Sequence, residues 1–134
     1  MTIQKSIVMM TNTGNNYDVV SEPYRADGFW GYSDGLHTVS ASVQNLKGNL
    51  RLQATLSTSP QEKDWFDIDI NPKDHRIPWI EFDGQSSVEG FSFIGNFVFI
   101  RAILDRSNRI DLEPDINGKA FLEQGQIDRI LLVM

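Results

Sequence analysis

Apolar residues alternate with polar ones along the middle of this chain, and that period of two restricts the fold more than any other feature. In residues 49–57, Leu50, Leu52, Ala54 and Leu56 point one way, and Arg51, Gln53, Thr55 and Ser57 the other. Such a segment is a strand with one buried face and one wet face. Residues 37–46 alternate too, with Val39, Ala41 and Val43 set against Thr38, Ser40, Ser42 and Gln44. Between the two runs, Leu46-Lys47-Gly48-Asn49 reads as a turn, which predicts an antiparallel hairpin.

Later segments carry a different pattern. Residues 91–104 are almost wholly apolar, and Gly95-Asn96 divides them into two strands with a tight turn. The second of these is apolar on both faces except at Arg101, as a central strand covered on both sides would be. Residues 126–134 are also apolar on both faces and are expected to pair deep in a sheet. Nowhere do apolar residues hold a 3.6 spacing over a dozen positions. Helix is confined to one short turn near Phe121-Leu122-Glu123-Gln124. Loops are expected at 12–16, 27–35, 57–64, 71–78, 83–87, 107–109 and 114–119. Turn residues punctuate the strands every eight to twelve positions, the mark of an all-β antiparallel sandwich or barrel. With 134 residues, five prolines and no repeat or linker, the chain reads as one domain over 1–134.

Composition excludes several kinds of chemistry. There is no cysteine, which removes disulfides, zinc-thiolate sites and thiol catalysis. The net charge of −6 gives no attraction to phosphate backbones, so no nucleic-acid partner is expected. No apolar run approaches the ~18 residues of a membrane span, so no membrane partner is expected either. The start, Met1-Thr2-Ile3-Gln4-Lys5, lacks the apolar core of a signal peptide, which points to synthesis in a cytoplasm.

Catalytic constellations are thin. The histidines are His37 and His75. Ser33, Asp34 and His37 could compose a triad on paper, but no nucleophile elbow or oxyanion loop accompanies them. A hydrogen-bonded histidine at a strand end accounts for His37 better. Asp67 with Asp69, and Glu81 with Asp83, each share a strand face, a common arrangement on wet faces that does not by itself make a glycosidase. Asp115-Ile116-Asn117-Gly118 followed by Glu123 has its glycine two places too early for an EF-hand and reads as an Asn-Gly turn. No metal site is assigned. Loop aspartates Asp27 or Asp34 are the alternative for a structural calcium. Gly28, Gly31 and Gly35 precede no helix that could offer its N-terminus to a phosphate. No enzyme and no cofactor is expected.

Two features remain. Trp30, Tyr32 and Asp34 in the 27–35 loop, with Trp65 and Trp79, could form a glycan-binding platform, although tryptophan also serves sandwich cores. Arg101, in an otherwise apolar strand, must find a partner such as Asp67, Asp69 or Asp111, or reach an edge.

The order of motifs is distinctive. It runs from Gly31-Tyr32-Ser33-Asp34-Gly35-Leu36-His37-Thr38-Val39 through residues 48–56 and Asp64-Trp65-Phe66. Residues 95–102 and 125–132 complete it. This string, over about Trp30 to Met134, resembles small β-sandwich virion proteins of contractile-tailed marine cyanophages. The resemblance implies a non-enzymatic structural component, assembled in the host cytoplasm into the virion. It would pack against other virion proteins and form a homo-oligomer. A carbohydrate-binding module for host adsorption is the alternative. More distantly, residues 97–102 and 127–133 are similar to strands of galactose-binding, discoidin-like jelly rolls. That likeness implies a jelly-roll sandwich. Those domains often join their ends by a disulfide, which this chain lacks.

Overall fold

The computed structural model describes residues 6–31, 35–74 and 76–134. The protein is mostly β, an antiparallel, strongly curled sheet in the form of a half-barrel. Its strands are β1 (Ile7–Thr11), β2 (Val19–Val20), β3 (Tyr24–Arg25), β4 (Leu36–Thr55), β5 (Phe66–Asp67), β6 (Ile80–Ile94), β7 (Phe99–Asp105) and β8 (Gln126–Val133). The order is β1-β8-β4-β7-β2, with β3 also on β7, and β5 and β6 also on β4. Strand β4 organises the rest. Residues 38–43 pair with β8 and β6, and residues 53–54 with β7 and β5.

The largest departure from the sequence reading lies in β4. The two alternating runs are one strand of 20 residues, not the arms of a hairpin. Val39, Ala41 and Val43 are buried, and then Leu46, Leu50, Leu52 and Ala54. The buried face therefore passes from odd to even numbers around Asn45. Asn45 has φ 49, and the register against β6 shifts between Val43 and Leu46. An extra residue in one strand exchanges its faces and bends it, which is a β-bulge. A turn and a bulge leave the same mark in a sequence, a break in alternation beside Asn and Gly. Residues 83–87, read as a loop, likewise lie inside β6 opposite this bulge.

The curl follows from the connections. Twenty extended residues would span about 65 Å. Yet the Gly95 N–H donates to the Gly35 carbonyl (3.0 Å), and three residues later the Val98 N–H donates to the Thr55 carbonyl (2.9 Å). Three residues reach only about 10 Å, so the two ends of β4 are drawn close together. The Gly95-Asn96 segment is thus no hairpin turn. Strands β6 and β7 pair with β4 rather than with each other.

The concave side holds the core. Leu46, Leu50 and Leu52 of β4 meet Phe82, Ile100, Leu104, Ile127, Ile130 and Leu132, all without measurable exposure. The interior strands β7 and β8 are the segments apolar on both faces. Within the 27–35 stretch, read as loop, Asp27–Trp30 forms a single helical turn, α1. A 3-10 turn at Leu122–Gln124 sits where the sequence placed a helical turn.

Candidate functional site

The outer face of the sheet divides into two halves of opposite character. Around the second half of β4, alternation turns Arg51 and Gln53 outward. Pairing places Gln53 between Arg101 and Asp67, and Asn49 opposite Asp105. Arg101 donates from Nε and Nη2 to Gln53 Oε1 (2.9 and 2.7 Å) and from Nη2 to Glu62 Oε1 (2.7 Å). Its guanidinium carbon lies 4.3 Å from the centre of the Trp65 ring. Gln53 Nε2 donates to Asp67 Oδ1 (3.1 Å). Arg51 donates from Nη1 to Asp67 Oδ2 (2.8 Å) and from Nε to Asp105 Oδ2 (2.9 Å), beneath Trp79 at 4.0 Å. One network therefore runs Trp65–Arg101–Gln53–Asp67–Arg51–Trp79. Each guanidinium has an indole over its face, an arrangement favoured by the ring quadrupole.

The expected partners of Arg101 need correction. Asp67 is taken by Arg51, and Asp111 pairs with Arg109. The carboxylate on Arg101 is Glu62, on the 3-10 turn Glu62–Asp64 that the sequence reading placed in a loop. The hydrogen bond and charge of Arg101 hold the Glu62 carboxyl below the usual range.

Trp30 stands apart from this network. In α1 it packs edge-on against Phe29 (5.1 Å), which leans on Phe99 (5.6 Å), while the Arg25 guanidinium lies 4.7 Å from the Phe29 ring. Trp30 is 49% exposed, whereas Trp65 and Trp79 are half-buried. The structure thus links Trp65 with Trp79 and leaves Trp30 on a separate aromatic cluster. Tyr32 and Asp34, like Ser33 and His75, lie outside the described residues. His37 is fully buried and stacked on Phe93 at 5.2 Å, inside the half-barrel rather than in a cleft. Among the described residues no group of three or more His, Asp or Glu side chains could hold a metal ion. Nor is any helix among them long and apolar enough to cross a membrane.

Sequence reasoning missed Arg106. It is fully buried, and donates to the carbonyls of Gly125 (2.6 Å), Asn16 (3.3 Å) and Gln124 (3.4 Å). Burial pushes its pKa down. It ties the β7 end to the β8 start, and Gly125, whose carbonyl it holds, lines a cleft of about 300 Å³ with Asn15, Gln44, Asn45 and Phe121. No sequence signal marked it, since an arginine after a strand usually faces water.

The other half of the outer face carries almost no charge. The register aligns four rows across β6, β4, β8 and β1. These are Ile94–Leu36, then Ser92–Thr38–Val133, then Gly90–Ser40–Leu131–Val8, then Val88–Ser42–Arg129–Thr11. Arg129 is the single charge in this grid. Val88 is 70% and Ile94 76% exposed. Thr38 and Ser92 satisfy each other through their hydroxyls at 2.9 Å. No protein-family model, curated protein or solved structure matches the chain.

Proposed function

We propose that this chain is a non-enzymatic structural protein of a phage virion, working by packing against other virion proteins. The outer face whose grid holds a single charge, Arg129, carries the reading. At strand spacings of about 4.8 Å and about 6.8 Å between successive same-face residues, the grid covers roughly 400 Å². The largest exposed apolar patch of a single chain is of about this size and is often functional, and Val8, Leu36, Val88 and Ile94 supply the exposed apolar part here. Covering hydroxyls, glycine and aliphatic side chains removes little hydration from charge, so a protein partner fits. The finer form of the fold, a galactose-binding-like jelly roll, belongs to this proposal, as does the location in the virion. Ser40 lies at the centre of the face. Ser40→Lys in the phage should abolish incorporation into density-purified particles while the isolated variant unfolds at the wild-type denaturant midpoint. Absence of the wild-type chain from such particles, or incorporation of the variant at wild-type stoichiometry, overturns the reading.

A second reading, a carbohydrate-binding module for host adsorption, is favoured by one observation: Phe29 and Trp30 present a half-exposed aromatic pair. A glycan array, run with calcium and with chelator, tests it. A hit lost in Trp30→Ala supports that reading, and a blank array with folded protein removes it.

A further inference from the structure

Strand β6 is 15 residues long and, among the described residues, pairs along one side only, with β4. Its two halves treat the second side differently. Near the start, side chains of the protein itself occupy the backbone. Arg109 Nη1 donates to the Phe82 carbonyl (2.8 Å), and Gln85 Oε1 accepts from the Asp83 N–H (2.8 Å). From Ser86 to Ile94 no described side chain caps the backbone in this way. Natural edge strands deter pairing with lysine, proline, inward charges or extreme shortness. Ser86-Ser87-Val88-Glu89-Gly90-Phe91-Ser92-Phe93-Ile94 has no lysine and no proline, and its one charge, Glu89, which stands on the inner face opposite buried Ala41, is the single deterrent of this kind in nine residues.

We propose that residues 86–94 of β6 pair antiparallel with the same segment of a second copy, about a two-fold axis at Gly90. The inference rests on the assembly reading above and names its partner and its edge. An antiparallel strand related to itself by a two-fold is self-complementary, so one edge suffices for a closed dimer. In this register Val88 faces Ser92 of the second copy, Glu89 faces Phe91, and Gly90 faces Gly90, so no like charges stand directly opposite. The pairing also joins the two weakly charged outer faces edge to edge, because Val88, Gly90, Ser92 and Ile94 lie on that face in both copies. This doubles the weakly charged surface offered to the rest of a particle.

Gly90 provides the test. A Cβ there would meet only the Val39 carbonyl oxygen, at 3.9 Å, so larger residues fit without strain. The chain has no cysteine, so a single Gly90→Cys is an unambiguous reporter. Sedimentation equilibrium of the full chain at about 100 µM is expected to give twice the 15.2 kDa chain mass. Gly90→Cys should form a disulfide-linked dimer on mild oxidation. Gly90→Lys, which opposes two ammonium groups at the axis, should return the mass to that of one chain with far-UV circular dichroism unchanged. Ile116→Lys, at an exposed turn, should leave the dimer intact. A wild-type monomer, or a Gly90→Cys chain that stays uncross-linked, overturns the strand pairing. So does a Gly90→Lys chain that remains dimeric. If such a chain is still incorporated into particles, the assembly reading stands without this partner. A dimer absent from particles would show the converse.

Discussion

Gly125 is the position where a single methyl group should do most damage. It follows the 3-10 turn, has φ 68, and presses against the β4 bulge. A Cβ there would fall well inside 3.0 Å of the carbonyl oxygens of Gln44 and Asn45. Both are backbone atoms that cannot rotate away, so the bulge or the start of β8 must move, disturbing the Gly125 carbonyl that Arg106 holds. Gly118 is a natural control, with φ 76 and nothing within 4 Å of its added Cβ. At Gly118 the left-handed backbone costs an alanine about 1–2 kcal/mol, and at Gly125 the backbone (φ 68, ψ −166) lies in a region almost confined to glycine, which costs an alanine about 1–3 kcal/mol. Reduced freedom of the unfolded chain returns about 0.4–1 kcal/mol. Gly118→Ala should therefore lose about 1 kcal/mol. Gly125→Ala adds an overpacking cost of about 1–3 kcal/mol, giving about 3 kcal/mol in all. Urea unfolding followed by circular dichroism measures both. If the two variants agree within about 0.5 kcal/mol, the close approach of Gly125 to the bulge is refuted.

Two further outcomes test the same structure. Leu46→Ala should cost about 2–5 kcal/mol, as a fully buried leucine does, whereas a residue in an exposed hairpin turn would cost under about 1 kcal/mol in the same titration. Glu62 is 84% exposed, so Arg101→Ala strands no buried charge and should cost about 1–2 kcal/mol through lost stacking and the Gln53 bonds. The folded Glu62 carboxyl lies below its ordinary value near 4.5, so its contribution is complete above that pH and fades as pH falls through the lowered value. Glu62→Gln should then flatten the acid limb of stability below about pH 4.5, and an unchanged slope between pH 5 and pH 3 would contradict the pairing.

Strand content is legible in the sequence because period two runs through each half of β4, while β7 and β8 are apolar runs of strand length. The connections are not. Asn45 inserts a residue and exchanges the faces of β4, and the same Asn- and Gly-containing stretch would serve a turn equally well. Only the partner strands decide between the two. The pairing of Arg101 failed for a related reason. Alternation places Arg101 and Gln53 on the outer face, but Glu62 reaches that face from a loop whose path no periodicity records. The sequence suggests Trp65 and Trp79 only as members of one platform with Trp30, Tyr32 and Asp34, and it does not point to their arginines, since Arg51 reads as an ordinary wet-face residue. Trp30 was grouped with them through sequence proximity to Tyr32 and Asp34, whereas its packing partners are Phe29 and, through it, Phe99.

The two halves of the outer face would respond differently to a partner. Around Arg51 and Arg101 the charges are already paired and roofed by indoles, so a docking protein would remove further water from charged groups and gain few new bonds. The Ser40 half has little to desolvate. If half of its roughly 400 Å² is apolar, covering it contributes about 5 kcal/mol at 25 cal/mol per Å². Association opposes this by about 4–15 kcal/mol, and a stable complex usually covers about 800 Å² on each side. One such face therefore gives a weak contact in isolation. Joined through β6, two copies present two faces on one rigid body, and the second contact forms at high effective concentration. A surface built this way stays largely unoccupied in dilute solution and holds firmly where many copies are arrayed. That behaviour suits an assembly component better than a binder of single soluble ligands.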